Sequence, residues 1–164
     1  THAGLNTPGF LMVFCLEQSK LLGYHHIMKF SESARCVCEL LKCRFVVCPK
    51  LVVYDNACNL DKFITARDPA FIEGTKFVID RLHWKGHKKC SPAYEPDYHM
   101  EMMGKNSQIC EQSNFRLHIK SAQLYYMSQV NCMFHIREFL FHLWGVEASS
   151  SSSSCAAAAA ASSS

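Results

Sequence analysis

Three features are scarce or missing in this sequence of 164 residues, and each absence narrows the classes of protein that fit it. No apolar run reaches the roughly 20 residues that a membrane-spanning helix needs, so we expect no membrane partner. The net charge of +3 is too small to indicate nucleic-acid binding by itself. No signal peptide is apparent, and ten cysteines are scattered through apolar runs. We therefore expect a reducing compartment in which most cysteines are small core residues.

Acidic residues are absent from the first 16 positions. The first one, Glu17, falls between two apolar segments, where a turn is predicted. The chain also starts Thr1-His2-Ala3 without Met, so we expect a fragment of a longer product.

The apolar pattern of the first half predicts an α/β protein with one packed core. Residues 9–16 (GFLMVFCL) and 21–30 are strand candidates, and 17–20 fit a hairpin turn. The hydroxyls of 31–33 predict a helix start. Residues 51–54 then form a short apolar run after Pro49, which is typical of a buried strand.

The second half is predicted to hold further helices and one short strand. Residues 58–66 fit a helix, 75–79 a strand, 91–105 a loop, and a helix starts at Asn106 or Ser107. We expect residues 148–164, almost all Ser and Ala, to be disordered or marginally helical. From Ser128 a helical stripe is predicted to pack in the core; its members are Val130, Met133, Phe134, Leu140, Phe141 and Trp144.

Asp55 stands directly after the predicted strand 51–54. Ligands gather beyond the carboxyl ends of strands in open α/β sheets, so a catalytic or metal-binding role fits this position. The alternative is that Asp55 only caps the next helix. Glu111, on a later helix, could converge with Asp55 on a divalent cation such as magnesium. Spacing alone does not single out this pair.

Cysteine and histidine are dense in one region. His83, His87 and Cys90 follow the spacing H-x3-H-x2-C, and Cys58 precedes them on the predicted helix. These residue types suit tetrahedral zinc. The alternative is a solvated basic loop with two incidental histidines.

The same region is basic and carries a tryptophan. Lysines neutralise phosphates, and an indole can stack on a base or sugar. The alternative is a solvated charged loop with a half-buried Trp. The candidate DNA-contacting residues are Lys76, Arg81, Trp84, Lys85, Lys88 and Lys89.

Four ordered segments resemble the catalytic core of the Kyakuja-Dileera-Zisupton (KDZ) family of eukaryotic DNA transposases. They are VVYDNAC (52–58), FVIDRLHWKGHKKC (77–90), NSQICEQSN (106–114) and YYMSQVNCMFHIREF (125–139). The resemblance spans most of residues 9–144. It implies an RNase H-like mixed sheet with flanking helices, a DDE-type acidic triad, and cleavage and strand transfer of DNA with two Mg²⁺ or Mn²⁺ ions.

Carried over by position, Asp55 resembles the second triad Asp and Glu111 the final Glu. Asp80 and His83 resemble the D-x2-H signature between them. The resemblance also implies a nuclear protein that binds DNA, a homo-oligomer in the intact transposase, and a structural zinc site at Cys58, His83, His87 and Cys90.

One departure from the family pattern decides the expected activity. The first triad Asp of such enzymes lies on a strand before the hairpin, and residues 1–16 hold no acid. We therefore expect residues 1–147 to be a partial core that lacks its first central strand and does not cleave DNA, followed by the low-complexity tail 148–164. The alternative function is a noncatalytic, zinc-stabilised module that binds DNA or another partner. A fragment without function is the third interpretation.

Overall fold

A computed structural model of the chain describes residues 9–27, 32–144 and 157–163, and the side chains of most of these. The protein is a mixed α/β fold. Its strands are β1 Gly9–Cys15, β2 Lys20–Ile27, β3 Leu51–Tyr54, β4 Lys76–Val78 and β5 Ala157–Ser163. Its α-helices are α1 Ala34–Arg44, α2 Ala57–Thr65, α3 Arg81–Trp84, α4 Ile109–His118, α5 Ser121–Tyr125 and α6 Gln129–Trp144.

The five strands form one sheet in the order β2-β1-β5-β3-β4. β1 runs antiparallel to both of its neighbours, β2 and β5. β3 runs parallel to both β5 and β4. The predicted hairpin is confirmed for residues 9–27 as the β1–β2 pair, with a turn in which Ser19 has a positive φ of 54°. Residues 28–30 of the predicted second strand lie outside the described residues.

Both faces of the sheet are buried, each by its own cluster of apolar side chains. Met12 and Phe14 of β1 belong to the first cluster, whereas Leu11 and Val13 belong to the second, as the two-residue period of a strand requires. We call the two sides of the sheet the first face and the second face. Helices α4 and α6 contribute to the first cluster, and α1 and α2 to the second.

A local signal accounts for where the first helix begins. The Ser33 side chain accepts a hydrogen bond from the backbone N–H of Cys36, so the predicted helix start is confirmed. α2 begins at Ala57, one residue before the predicted position. Residues 91–105 were predicted as loop and contain three short 3-10 turns, Pro92–Tyr94, Pro96–Tyr98 and Met100–Met102.

The apolar stripe predicted on α6 packs against the core only in part: Leu140 is buried in the first cluster, and Met133 and Trp144 pack partly buried against it. The buried side of the helix is formed by Cys132, Ile136 and Leu140, which recur every four residues. Leu140 is thus the fully buried member of the predicted stripe, and Val130, Phe134 and Phe141 are exposed. Among the described residues, no helix combines the length and the apolar character needed to cross a bilayer.

The Ser/Ala tail was predicted to be disordered or marginally helical, and for residues 157–163 that prediction is wrong. They form β5, which lies in the centre of the sheet between β1 and β3. The physical reason is that β1 and β3 each present an edge of backbone N–H and C=O groups, and an extended segment satisfies both edges at once. The rest of the predicted tail, 148–156 and residue 164, lies outside the described residues.

Candidate metal centre and acidic site

Strand β3 places Asp55 at the end of the sheet where the parallel strands β3 and β4 have their carboxyl ends. All four residues of the strand are buried, and Asp55 follows immediately. The cap of α2 is Asn56, without a side-chain cap bond, so Asp55 does not act as the helix cap. Its Oδ1 atom is buried and has no hydrogen-bond partner in the described part of the chain. Burial raises the pKa of the Asp55 carboxyl, and the nearby His83 opposes that shift.

Strand β4 brings a second carboxylate, that of Asp80, to the same end of the sheet. Val53 of β3 lies opposite Val78 of β4 in a parallel register, and the two Asp residues follow two positions later. Asp80 is buried and caps α3: its Oδ1 accepts hydrogen bonds from the backbone N–H groups of Leu82 at 2.9 Å and His83 at 3.2 Å. The cap therefore fixes this carboxylate tightly.

His83 belongs to this acidic site. Its Nδ1 atom is 2.6 Å from Oδ2 of Asp80. Burial lowers the pKa of His83, but the hydrogen bond and charge of Asp80, together with the charges of Asp55 and Glu111, outweigh burial and raise the pKa above its usual value. The three carboxylates thus all favour the protonated form of the ring.

Helix α4 carries Glu111 in its first turn, close to the same end of the sheet. The neighbouring Cys110 is buried, and burial raises its thiol pKa, with further contributions from the charges of Glu111, Asp80 and Asp55. The start of α4 therefore lies close enough to Asp55 and Asp80 for their charges to affect the pKa of a side chain in its first turn. Asp55 and Glu111 do not belong to a group of three or more close metal-ligating atoms within the described ranges, and their sharing of a cation stays a prediction.

A second cluster, formed by Cys58, His87 and Cys90, could hold a metal ion. Their ligand atoms all lie within 4.8 Å of one another. The two Sγ atoms are 3.4 Å apart, and Nδ1 of His87 is 3.2 Å from Sγ of Cys90 and 3.8 Å from Sγ of Cys58. We call these three residues the Cys-His-Cys centre. His83, the fourth ligand predicted from the sequence, lies with Asp80 instead.

Helix α2 and two tight turns assemble the Cys-His-Cys centre. Cys58 is buried in the first turn of α2. After α3, the backbone N–H of His87 donates to the carbonyl of Trp84 at 2.9 Å, and that of Cys90 donates to the carbonyl of His87 at 3.1 Å. These turns set the three-residue spacing of the two ligands. The Tyr94 hydroxyl donates to Asp61 of α2 at 2.8 Å and ties the following segment to the same helix.

The spacing of the ligand atoms fits a small tetrahedral ion. Zn–S bonds of about 2.3 Å and Zn–N bonds of about 2.0 Å place neighbouring ligand atoms about 3.5 to 3.8 Å apart. The three separations between Cys58, His87 and Cys90 scatter around that range. Burial, and then the neighbouring Cys90, raise the pKa of the Cys58 thiol, so metal binding must release protons. A tetrahedral ion held by these three residues would have a fourth position for water.

The six candidate DNA-contacting residues fall into two groups. Lys76 forms an ion pair with Glu101, and Arg81 bonds Asp97 and the backbone carbonyls of two loop residues. Trp84 is half-buried against the second cluster. The exposed remainder consists of Lys85, Lys88 and Lys89, which flank His87 on one loop.

Sequence reasoning missed one carboxylate near the acidic site. The Tyr54 hydroxyl donates a hydrogen bond to Oε1 of Glu32 at 2.6 Å. Burial raises the pKa of Glu32, the Tyr54 bond opposes the shift, and the charge of Asp55 adds to it. The only sequence signal was the place of Glu32 just before the helix cap Ser33, which is equally typical of an acid that interacts with the helix dipole.

Fold and site together define a mixed α/β protein with a Cys-His-Cys group that could bind a metal ion. A few residues away, carboxylates and a histidine gather at the carboxyl edge of the parallel strands. No known family model, curated protein or solved structure matches the chain.

Proposed function

We propose that this chain is part of an RNase H-like DDE transposase core of the KDZ type, and that the chain as given does not cleave DNA. The intact enzyme would hydrolyse and transfer DNA strands with two divalent metal ions. The observation that carries the proposal is the gathering of Asp55, Asp80, His83 and Glu111 at one sheet edge. Such enzymes act in the nucleus, and we propose that location with the function.

The order and direction of the elements support this proposal. An antiparallel hairpin, a helix, a strand that ends at an acid, and a later helix that carries Glu111 follow one another as the family resemblance implies. The resemblance also implies a central strand that precedes the hairpin. In this chain β5 occupies the centre of the sheet, antiparallel to β1 and parallel to β3.

The residues of β5 explain why cleavage is not expected. The strand contains only Ala and Ser, so it brings no carboxylate to the centre of the sheet. Magnesium gives up its waters reluctantly and needs several oxygen ligands, and a two-metal site needs carboxylates that fix both ions. Asp80 is already occupied by two backbone N–H groups and by His83. Asp55 and Glu111 alone would hold a cation loosely, and loose positioning lowers the rate steeply.

Zinc bound at the Cys-His-Cys centre would have a structural role, and that role is consistent with the same proposal. Cys58 lies three residues after Asp55, and His87 and Cys90 lie on the loop that follows Asp80 and His83. An ion bound there would tie α2 to that loop and would hold the two strand ends in place. Zinc is favoured because two thiolates and one imidazole are soft or borderline ligands.

The experiment that tests the proposal restores the missing carboxylate. β5 is parallel to β3 with Ala159 opposite Tyr54, so Ala160 lies level with Asp55. Ala160 also lies opposite Met12, a residue of the first face, on which α4 packs. The substitution Ala160→Asp should therefore add a third acid beside Asp55, whereas Ala159→Asp, opposite Val13 of the second face, is the matched control.

A nicking assay on supercoiled DNA with manganese provides the readout. We expect no nicking by the unchanged chain, weak metal-dependent nicking by Ala160→Asp, and none by Ala159→Asp. Adding Asp55→Ala or Glu111→Ala to Ala160→Asp should abolish the activity. Metal-dependent nicking by the unchanged chain that is lost with Asp55→Ala would contradict its inactivity. Activity of Ala160→Asp that survives Asp55→Ala would contradict the assignment of the acids.

A noncatalytic DNA-binding module is the second candidate. The observation that favours it is the exposed set Lys85, Lys88 and Lys89, which flanks a metal-binding ligand and needs no acid. Binding should be independent of DNA sequence and should weaken as salt is added. Replacing both Lys88 and Lys89 with Gln should lower the slope of log affinity against log salt by about two. The matched control is Lys76→Gln, because Lys76 is already paired with Glu101.

A further inference from the structure

Two free thiols of the chain lie almost within bonding distance of each other. The Sγ atoms of Cys58 and Cys90 are 3.4 Å apart, and neither cysteine is in a disulfide. Because a disulfide bond is about 2.05 Å long, the two sulfurs need to approach by only about 1.4 Å to form one. Small rotations of the two side chains cover such a distance. The pair is therefore placed for oxidation as well as for metal binding.

The two thiols differ in how well a small oxidant can reach them. Cys58 is buried in the first turn of α2, whereas Cys90 is partly exposed. Lys88 and Lys89 directly precede Cys90, and both are exposed. Reactive cysteines are typically partly exposed thiols in positively charged surroundings. Cys90 is thus the thiol that meets an oxidant first, and Cys58 is the second thiol beside it.

We propose that Cys58 and Cys90 are a peroxide-sensitive pair, which forms a reversible disulfide and thereby expels the metal ion from the Cys-His-Cys centre. The oxidant is hydrogen peroxide or an organic hydroperoxide. The inference rests on the zinc role proposed above only for the release of the ion, because the two thiols can be oxidised in its absence. In a reducing compartment, such disulfides are typically transient and report on the redox state.

The oxidation takes place in two steps. The Cys90 sulfur attacks one peroxide oxygen, the O–O bond breaks, and the thiol proton leaves with the other oxygen as water, which gives a sulfenic acid. The Cys58 sulfur then attacks the Cys90 sulfur, the S–O bond breaks, and hydroxide leaves with the Cys58 proton as a second water. Two thiols thus lose two electrons in total, and one hydrogen peroxide is reduced to two waters.

The disulfide changes the metal content of the chain without separating its segments. Zinc binds deprotonated thiols, and a disulfide offers none. His87 is then the remaining ligand of the centre, and one imidazole is too few for a structural zinc site. The S–S bond itself ties α2 to the loop that carries Cys90. A dithiol reductant restores both thiols, and with them the metal site.

The test follows the zinc-loaded and the zinc-free chain during treatment with hydrogen peroxide. Free thiols are then alkylated, and the chain is digested with trypsin without reduction. Cys58 and Cys90 fall on different tryptic peptides, 51–62 and 90–105, so that a disulfide joins the two. Peptide mapping is needed because Cys15 is already disulfide-bonded. A chromogenic chelator measures the zinc that is released.

We expect the joined peptides in both samples, one zinc released for each cross-link, and reversal by dithiothreitol. Cys58→Ser should remove the cross-link and leave Cys90 as a sulfenic acid that dimedone labels. His87→Ala removes a zinc ligand but keeps both thiols, so its cross-link should form as in the zinc-free chain. Cys43→Ser is the matched control at an exposed free cysteine and should leave the cross-link unchanged.

Two results would overturn the proposal. One is the absence of joined peptides in the zinc-free chain once Cys43 is fully oxidised, because exposure and not proximity would then set the reactivity. The other is zinc release by peroxide without the cross-link. If the chain binds no zinc, the proposed structural zinc and the release step both fail, whereas the cross-link still decides whether Cys58 and Cys90 form a redox pair. None of these readouts depends on DNA or its cleavage.

Discussion

The Cys-His-Cys centre and the acidic site lie close together, but they differ in how completely the chain builds them. Three metal-ligating atoms of Cys58, His87 and Cys90 lie within 4.8 Å of one another. The carboxylates of Asp55 and Glu111 both help to raise the pKa of His83. Within the described ranges they belong to no comparably close group of metal-ligating atoms. The ligand atoms of the first site lie close enough together that they could hold a metal ion, whereas the second site gathers charged side chains without a comparably close group of ligand atoms.

The difference follows from where the ligands come from. The Cys-His-Cys centre draws on α2 and on one short loop, and backbone hydrogen bonds fix that loop turn by turn. The acidic site draws on β3, β4 and the later helix α4, which are distant from one another in the sequence. A site built from one helix and one short loop therefore depends on fewer distant parts of the chain than a site assembled from two strands and a later helix.

The largest expected effect is loss of the Cys-His-Cys centre. At a free zinc concentration a hundredfold above the dissociation constant, binding adds about 2.7 kcal/mol to the free energy of unfolding. Cys58→Ala should remove that contribution, and so should a chelator added to the unchanged chain. Cys38→Ala is the matched control, because Cys38 is also a buried helical thiol outside the centre. Urea unfolding with and without zinc measures the effect.

Two results of the zinc-dependent unfolding measurement would contradict this prediction. If zinc stabilises the unchanged chain and Cys58→Ala equally, the ion binds elsewhere. Equal loss of the zinc effect in Cys38→Ala would mean that general packing, rather than a ligand, is responsible.

A smaller effect is expected at Asp80. Asp80→Ala removes the α3 cap and should lower the free energy of unfolding by about 1 to 2 kcal/mol. Asp80→Asn keeps an acceptor for the backbone N–H groups but loses the charge beside His83. Because the pKa of His83 is raised in the folded state, its contribution to stability is complete below the usual value of 6.5. It is lost as the pH rises through the raised value.

Unfolding curves in chelator between pH 5 and 9 test the Asp80–His83 interaction without zinc. The stability of the unchanged chain should fall across that window relative to Asp80→Asn. Parallel pH profiles for the two proteins would mean that the Asp80–His83 pair does not hold a proton.

The smallest expected effect is at Asp55. Its pKa is raised chiefly by burial, so the ionised carboxylate disfavours the fold once the pH exceeds the usual value of 3.8. Asp55→Asn should therefore slightly stabilise the chain at pH 7, and the gain should disappear below about pH 4. Asp97→Asn, at an exposed position, is the control. Destabilisation by Asp55→Asn at pH 7 would mean that the carboxylate holds a cation or another partner.

Much of the fold follows from local patterns in the sequence. The hairpin, the Ser33 cap and the buried strand before Asp55 depend on apolar periodicity and on capping side chains, and they were predicted close to their observed bounds. The stripe on α6 was predicted less well. A helix with apolar residues around most of its circumference does not reveal which side meets the sheet.

The strand in the tail and the position of His83, which was predicted to be a fourth zinc ligand, could not be predicted from the sequence for a different reason. Residues 157–163 have no strand pattern of their own, and they become a strand because two unfilled backbone edges accept them. His83 has the spacing of a zinc ligand, but Asp80 lies three residues earlier and binds it through a cap that only the folded chain forms. Whether His83 contacts Asp80 or the cysteines depends on the folded structure, and the spacing in the sequence alone does not predict it.

Metal content measured on the purified chain tests the contrast between the two sites most directly. After equilibration with micromolar zinc and manganese and removal of free ions, elemental analysis should find one zinc per chain and no retained manganese. Cys58→Ala should lose the zinc, and Glu111→Ala should leave it unchanged. Retained manganese that disappears with Glu111→Ala, or zinc that survives Cys58→Ala, would contradict the account.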